Sequence, residues 1–202
     1  MKRGKYTILV LVITVSIIVF LLLNLLLGSV AIPFASVWNI LTGGEGDPVA
    51  WQNIILKSRL PQALTALVAG AGLSISGLQM QTIFRNPLAG PSVLGISSGA
   101  SLGVAFVVLL SGQLGGVALS RLGFIGEVAL SIAAVVGALS VMGLIVLASR
   151  KVAGSVTLLI IGVMIGYIAN AVIGVLKFFS VEEDIKAYVI WGLGSFARVS
   201  GN

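Results

Sequence analysis

Five stretches of this chain, residues 6–27, 61–83, 92–110, 124–149 and 155–179, run almost without charge for about the 20 residues that carry a helix across a bilayer. Apolar residues make up 58% of the sequence, charged residues 9%, and the mean hydropathy is +1.16. A soluble domain carries about 25% charged residues, so this chain lacks the polar groups to cover a globular surface in water. The expected fold is therefore all-α, a polytopic membrane protein of about five transmembrane helices.

The net charge of +6 does not form a basic stripe interleaved with aromatic residues, so nucleic acid is not an expected partner. The charges instead mark sides of the membrane. Cysteine and histidine are both absent. That removes disulfides, thiolate nucleophiles, imidazole bases and the commonest zinc and haem ligands, and no metal or cofactor site is expected. Nor is there a glycine-rich phosphate loop ending in Gly-Lys-Ser/Thr. If ATP drives this protein, another chain hydrolyses it.

Met1–Lys5 places three cations ahead of the first apolar run. A signal peptide is the competing reading, with cleavage near Gly28–Ala31, but the run exceeds the roughly 7–15 residues of a signal core. A first span with a cytoplasmic amino end is expected. Residues 28–60, with Pro33, the Gly43–Pro48 cluster and the aromatics Phe34, Trp38 and Trp51, read as a loop along the membrane surface. The second span, 61–83, opens at Pro61 and holds Ala63, Ala66, Ala69, Gly70, Ala71, Gly72, Ser74, Ser76 and Gly77. Small residues let helix backbones approach in lipid, which predicts a central helix that either packs only or also lines a pathway.

An Arg85–Pro91 turn precedes the third span, where Gly95, Gly99 and Gly103 recur every four residues as a seam. A glycine-rich loop is expected over 111–123. In the fifth span Gly162, Gly166, Asn170 and Gly174 repeat at the same interval. Asn170 there serves either an interhelical hydrogen bond or a water-filled pathway. With the amino end inside, the loops 84–91 and 149–154 are also inside. These three segments hold Lys2, Arg3, Lys5, Arg85, Arg150 and Lys151 and no acid, while all six acids lie on the other side or at its boundary. A short outer helix is expected over about 184–196, anchored at the interface by Tyr188 and Trp191.

Read in order, Arg59-Leu-Pro-Gln62, Ala69-Gly-Ala-Gly-Leu-Ser-Ile-Ser-Gly-Leu-Gln79, Arg85-Asn-Pro-Leu-Ala-Gly-Pro91, Leu94-Gly-Ile-Ser-Ser-Gly-Ala100 and Trp191-Gly-Leu-Gly-Ser195 make up a recognisable series. The series resembles the FecCD-type ABC transporter permeases, bacterial importers of iron-siderophore, haem and cobalamin. The resemblance implies one half of a BtuC-like ten-helix permease fold with inverted repeats, in the bacterial inner membrane. It implies a homodimer or a second permease half, cytoplasmic ATP-binding subunits, and a periplasmic or lipid-anchored substrate-binding protein, all set in membrane lipid. On that pattern 1–202 is an incomplete permease domain, either a fragment, a truncated product or half of a split permease.

The resemblance also implies roles. Arg59 and Gln62 match the outer motif whose two arginines receive carboxylates of the binding protein, with glutamine here in place of the second arginine; Lys57 could compensate. Asn86, Leu88 and Ser155 match an inner gate. Tyr188, Trp191 and Ser195 match an outer gating helix. Gly95, Gly99, Gly103, Gly166 and Asn170 serve the pathway or helix packing. Gly90 stands where an acid is common, which weakens any charge-based role for that loop. Asn86-Pro87 fixes a turn, because the residue before proline is pushed out of the α region; Leu88 then either plugs the path or the turn only orients its two spans. A permease is the expected function and not an enzyme, since no serine has a mid-membrane base. A passive channel, a membrane scaffold and a non-functional truncated permease are the alternatives.

Overall fold

The computed structural model describes residues 2–44, 47–111, 124–152, 154–197 and 199. The expected loop at 111–123 lies almost wholly outside them. Helices α1 (Lys2–Leu26), α2 (Phe34–Leu41), α3 (Val49–Ile54), α4 (Leu60–Phe84), α5 (Ile96–Ser111), α6 (Phe124–Ser149), α7 (Ser155–Phe179) and α8 (Glu182–Gly192) follow one another, with a π-helical turn at Ile55–Arg59. Among the described residues there is no strand. Among the described residues four helical segments are long and apolar enough to cross a membrane: Gly4–Leu26, Val49–Phe84, Ile125–Ser149 and Ser155–Phe179.

Two expected boundaries shift. The loop at 28–60 is largely helical, and α3, the π turn and α4 join into one run over Val49–Phe84. Pro61 does not open this helix. Its ring removes an N–H and crowds the carbonyl four residues earlier, and the wider π turn just before it supplies the room. The third span starts at Ile96, not at residue 92, because Pro91–Gly95 fold as a turn. Its 16 residues rise about 24 Å at 1.5 Å per residue, short of the roughly 30 Å hydrocarbon core.

The chain divides into two compact units, Met1–Ala71 with Ser195–Asn202, and Gly72–Gly194. In the first, Leu25, Ile32, Val37, Ile40 and Ile55 form a buried cluster that joins the end of α1, helix α2 and the π turn. Asn39 at the end of α2 donates to the Asp47 carboxylate at 2.8 Å, and the Asn39 and Ser36 bonds hold that carboxyl below its usual range.

In the second unit α5 packs against α6, α7 and α8. The α5–α6 approach is very close. A β-carbon at Gly103 would lie 2.1 Å from the Ala133 carbonyl oxygen, and one at Gly137 would lie 2.2 Å from that of Gly99. Small residues on both faces let the backbones meet, which supplies the packing contact that drives association in lipid. Gly95 does not share this seam. It precedes α5 with φ +72° and sits against α7, where its β-carbon would be 2.7 Å from the Gly162 carbonyl. The expected single stripe of three glycines is thus split between two neighbours.

The repeat along α7 is corrected in the same way. Its buried positions are Gly162, Gly166, Ala169 and Ile173. Four residues turn a helix by about 40° past a full revolution, so a strict four-residue repeat drifts off any face that packs straight. Asn170 and Gly174 are accordingly exposed. Asn170 has no interhelical hydrogen bond among the described residues.

Candidate functional site

Three places carry the residues that the sequence singled out. The first is the corner between α1 and α4. Arg59, at the last position of the π turn, is 7% exposed. Its Nη1 donates to the carbonyls of Leu25 at 2.6 Å and Leu26 at 3.1 Å, and Nη2 donates to that of Val30. The last carbonyls of a helix have no intrahelical partner and carry its negative dipole end, so a guanidinium there satisfies both demands. Gly28 admits it: a β-carbon at that position would lie 2.6 Å from Nη2.

The docking role expected of Arg59 calls for a presented cation, whereas here the guanidinium is 7% exposed. The group is turned inward and spent on α1. Lys57 is the exposed cation of the same turn. Gln62 is partly buried and donates to Ser58 Oγ at 3.1 Å. Asn24, Gly28, Ser29, Ser58, Arg59 and Gln62 line a polar cavity of about 330 Å³ at this corner.

The second place is the turn after α4. Arg85 takes φ 47° and closes the helix: its N–H donates to Thr82 O at 3.3 Å and the Asn86 N–H to Gln81 O at 3.1 Å. This is the C-terminal motif in which glycine usually supplies the left-handed residue. Asn86 Oδ1 then accepts the Leu88 N–H at 2.9 Å, and Asn86 O accepts the Ala89 N–H at 3.1 Å. Ala89 and Leu94 are buried in a cluster with Phe84, Val141 and Ile145, against which Leu158 and Leu159 of α7 pack. Leu88, by contrast, is 83% exposed. The fold fixes the turn against α6 and α7 and leaves Leu88 projecting. Ser155, partly buried, opens α7 after Gly154, and Leu88 is too exposed to be packed against it.

Replacing Asn86 by alanine is expected to weaken this turn by about 1 kcal/mol, the worth of one hydrogen bond. Faster hydrogen exchange at the Leu88 amide, with α5 amides unchanged, is the measurement. Equal exchange would mean that Pro87 alone sets the turn.

The third place is α8. It runs Glu182–Gly192, beginning and ending earlier than expected, and the chain leaves it through Gly194 at φ 68°. Ser195 is therefore off the helix, exposed, with its Oγ accepting from the Ala197 N–H at 3.0 Å. Tyr188 is no lipid anchor. It is 8% exposed and packs with Val104, Ala105, Val108 and Leu109 of α5 and Ile173 of α7. Trp191 packs partly buried against the same cluster.

Burial pushes the Tyr188 phenol above its usual range, opposed by its hydrogen bond with Ser101. Asp184 is 6% exposed, and burial with the neighbouring Glu183 charge raises its carboxyl. Lys177 at the end of α7 stands over the Tyr188 ring, its Nζ 4.7 Å from the centroid. No motif in the sequence points to Lys177. Its only signal was to be the single charge in an otherwise apolar run.

Known proteins share the sequence pattern and the fold of this chain. The family described as the FecCD transport family matches residues 16–202. A probable iron chelatin transport system permease protein of Helicobacter pylori is 41% identical over 149 residues, 73% of this chain and 41% of the relative. A hemin transport system permease protein of Yersinia pestis is 31% identical over 173 residues, 85% of this chain and 48% of the relative. A solved metal-chelate type ABC transporter in an inward-facing conformation superposes with a TM-score of 0.74 at 26% identity, covering 96% of this chain and 56% of that one. The chain spans about half the length of the relatives it matches.

Proposed function

The chain belongs to the FecCD transport family, and from that membership we propose that it is part of a permease subunit of a binding-protein-dependent ABC importer. The cargo is an iron-siderophore, haem or cobalamin-type chelate crossing the bacterial inner membrane. The observation that carries this reading is the combination of family match and fold: helices long enough to span, joined by the fixed turn at Arg85–Leu94 and by a short helix α8 seated across α5. With neither histidine nor cysteine in the chain, iron crosses inside its chelate and is not ligated by thiolate or imidazole of this chain.

The amino terminus is cytoplasmic in this reading, supported by the cations flanking α1, α4 and α6. The inner gate then comprises the Asn86–Leu88 turn and the start of α7 at Ser155. Leu88, exposed and apolar, is the group available to close a path against another chain. At the outer side Lys57 and Gln62 face a substrate-binding protein, while Arg59 holds the corner from which they project. Tyr188 and Trp191 belong to the outer gating helix, with Ser195 just beyond its end. Separate cytoplasmic subunits hydrolyse ATP.

A second half, supplied by a second copy or a further permease repeat, covers α4. On that helix a β-carbon at Gly72 or Gly77 would meet nothing within 4 Å, and Gln79 and Gln81 are exposed. Glutamine and bare glycine backbone suit contact with protein or water far better than contact with lipid tails.

Proteoliposomes assembled with the cognate ATPase and binding protein test the proposal. Uptake of radiolabelled ferric siderophore that stops without ATP is the expected result. Uptake indifferent to ATP would make this a passive channel and end the importer reading.

A further inference from the structure

We propose that Lys177 is a positioning residue for α8, its ammonium clamping the Tyr188 ring so that the short helix stays closed over α5. This rests on the outer-gate reading of α8. The residues around it make the case. Tyr188 is the only α8 side chain in the buried cluster with Val104, Ala105, Val108 and Leu109. Lys177 comes from a different element, the last turn of α7, and approaches the ring face at 4.7 Å. Within about 6 Å such a cation is attracted by the ring quadrupole, the more so where water is partly excluded, and Lys177 is partly buried. The position also favours a cation, lying at the negative end of the α7 dipole.

The connection between α7 and α8 is anchored separately. Ser180 Oγ donates to Leu176 O at 2.6 Å and lies 3.2 Å from Leu109 O. Val181 beyond it is extended, so α8 can pivot there. A swing about that point keeps the Ser180 contacts and breaks the Lys177–Tyr188 contact. Lys177 therefore sets how readily α8 lifts while leaving the hinge intact.

A reporter thiol reads this directly, because the chain has no cysteine of its own. Ala187 is partly buried against the cluster under α8, and Ala187→Cys makes its labelling by an impermeant maleimide a measure of lifting. In nanodiscs, Lys177→Met is expected to raise the labelling rate about fivefold, the scale of one partly desolvated cation–π contact. Lys177→Arg, which keeps a cation over the ring, is expected to leave the rate unchanged. In a Tyr188→Leu background Lys177→Met should add nothing further. An unchanged rate for Lys177→Met, or the same increase without the Tyr188 ring, overturns the clamp. Labelling of intact cells expressing Ala187→Cys decides the side separately: modification from outside supports the outer-gate reading, and protection from outside with labelling after lysis removes that reading while the coupling measured in nanodiscs stands or falls by itself.

Discussion

Gly103→Ala is expected to lower the thermal unfolding midpoint of the chain in detergent, whereas Gly143→Ala leaves it unchanged or raises it. Both glycines lie inside apolar helices, so propensity alone favours alanine at each by up to about 1 kcal/mol. Tertiary contact separates them. At Gly143 a β-carbon meets nothing within 4 Å, while at Gly103 it meets the Ala133 carbonyl oxygen at 2.1 Å and the Gly137 α-carbon at 3.2 Å. Those are backbone atoms and cannot turn aside, so α5 and α6 must separate along the seam. Overpacking of this kind costs about 1–3 kcal/mol, and for a chain of this length each kcal/mol moves the midpoint by about 2–4 °C. Equal midpoints for the two variants would mean that the α5–α6 approach is looser than described.

Arg59→Met carries the second large effect, at least about 2 kcal/mol of lost stability, because three carbonyls lose a charged donor at once. The loss should be seen in detergent with no partner present. Arg59→Lys restores part of it, since an ammonium reaches a carbonyl but lacks the planar fork that serves several. Gly28→Val should reproduce the defect from the opposite side, its β-carbon falling 2.6 Å from Nη2. If Arg59→Met unfolds at the same midpoint as the parent and only weakens a partner's binding, the arginine is a docking group after all. A helix end competes for a cation as effectively as a partner does, so motif position alone does not name the target of Arg59.

The sequence announced the spans well where burial in lipid dictates a long uncharged run, as in α1, α6 and α7. It misjudged the segments in between. The stretch 28–60 looked like a loop because its prolines, glycines and aromatics match loop composition. Its helices instead come from packing Val37, Ile40 and Ile55 on the end of α1. The start of α5 was displaced for a related reason: Gly95 fits a helical seam by spacing but takes φ +72° against α7. For the candidate site, motif order singled out the Asn86 turn and α8, while the partners that hold them are distant in sequence. Leu158 and Leu159 against the turn, and Ser101 and Lys177 around Tyr188, are brought in by helix packing alone.

By itself the sequence determined that this chain is made of membrane-crossing helices and belongs to the FecCD transport family, because hydropathy over about 20 residues and ordered motifs are local properties. Only the tertiary structure decided which glycines touch which helix, that Arg59 faces inward, and that Asn170 lies off the packed face of α7. Those outcomes depend on where backbones from remote segments meet, and a periodicity that drifts about 40° every four residues cannot fix that.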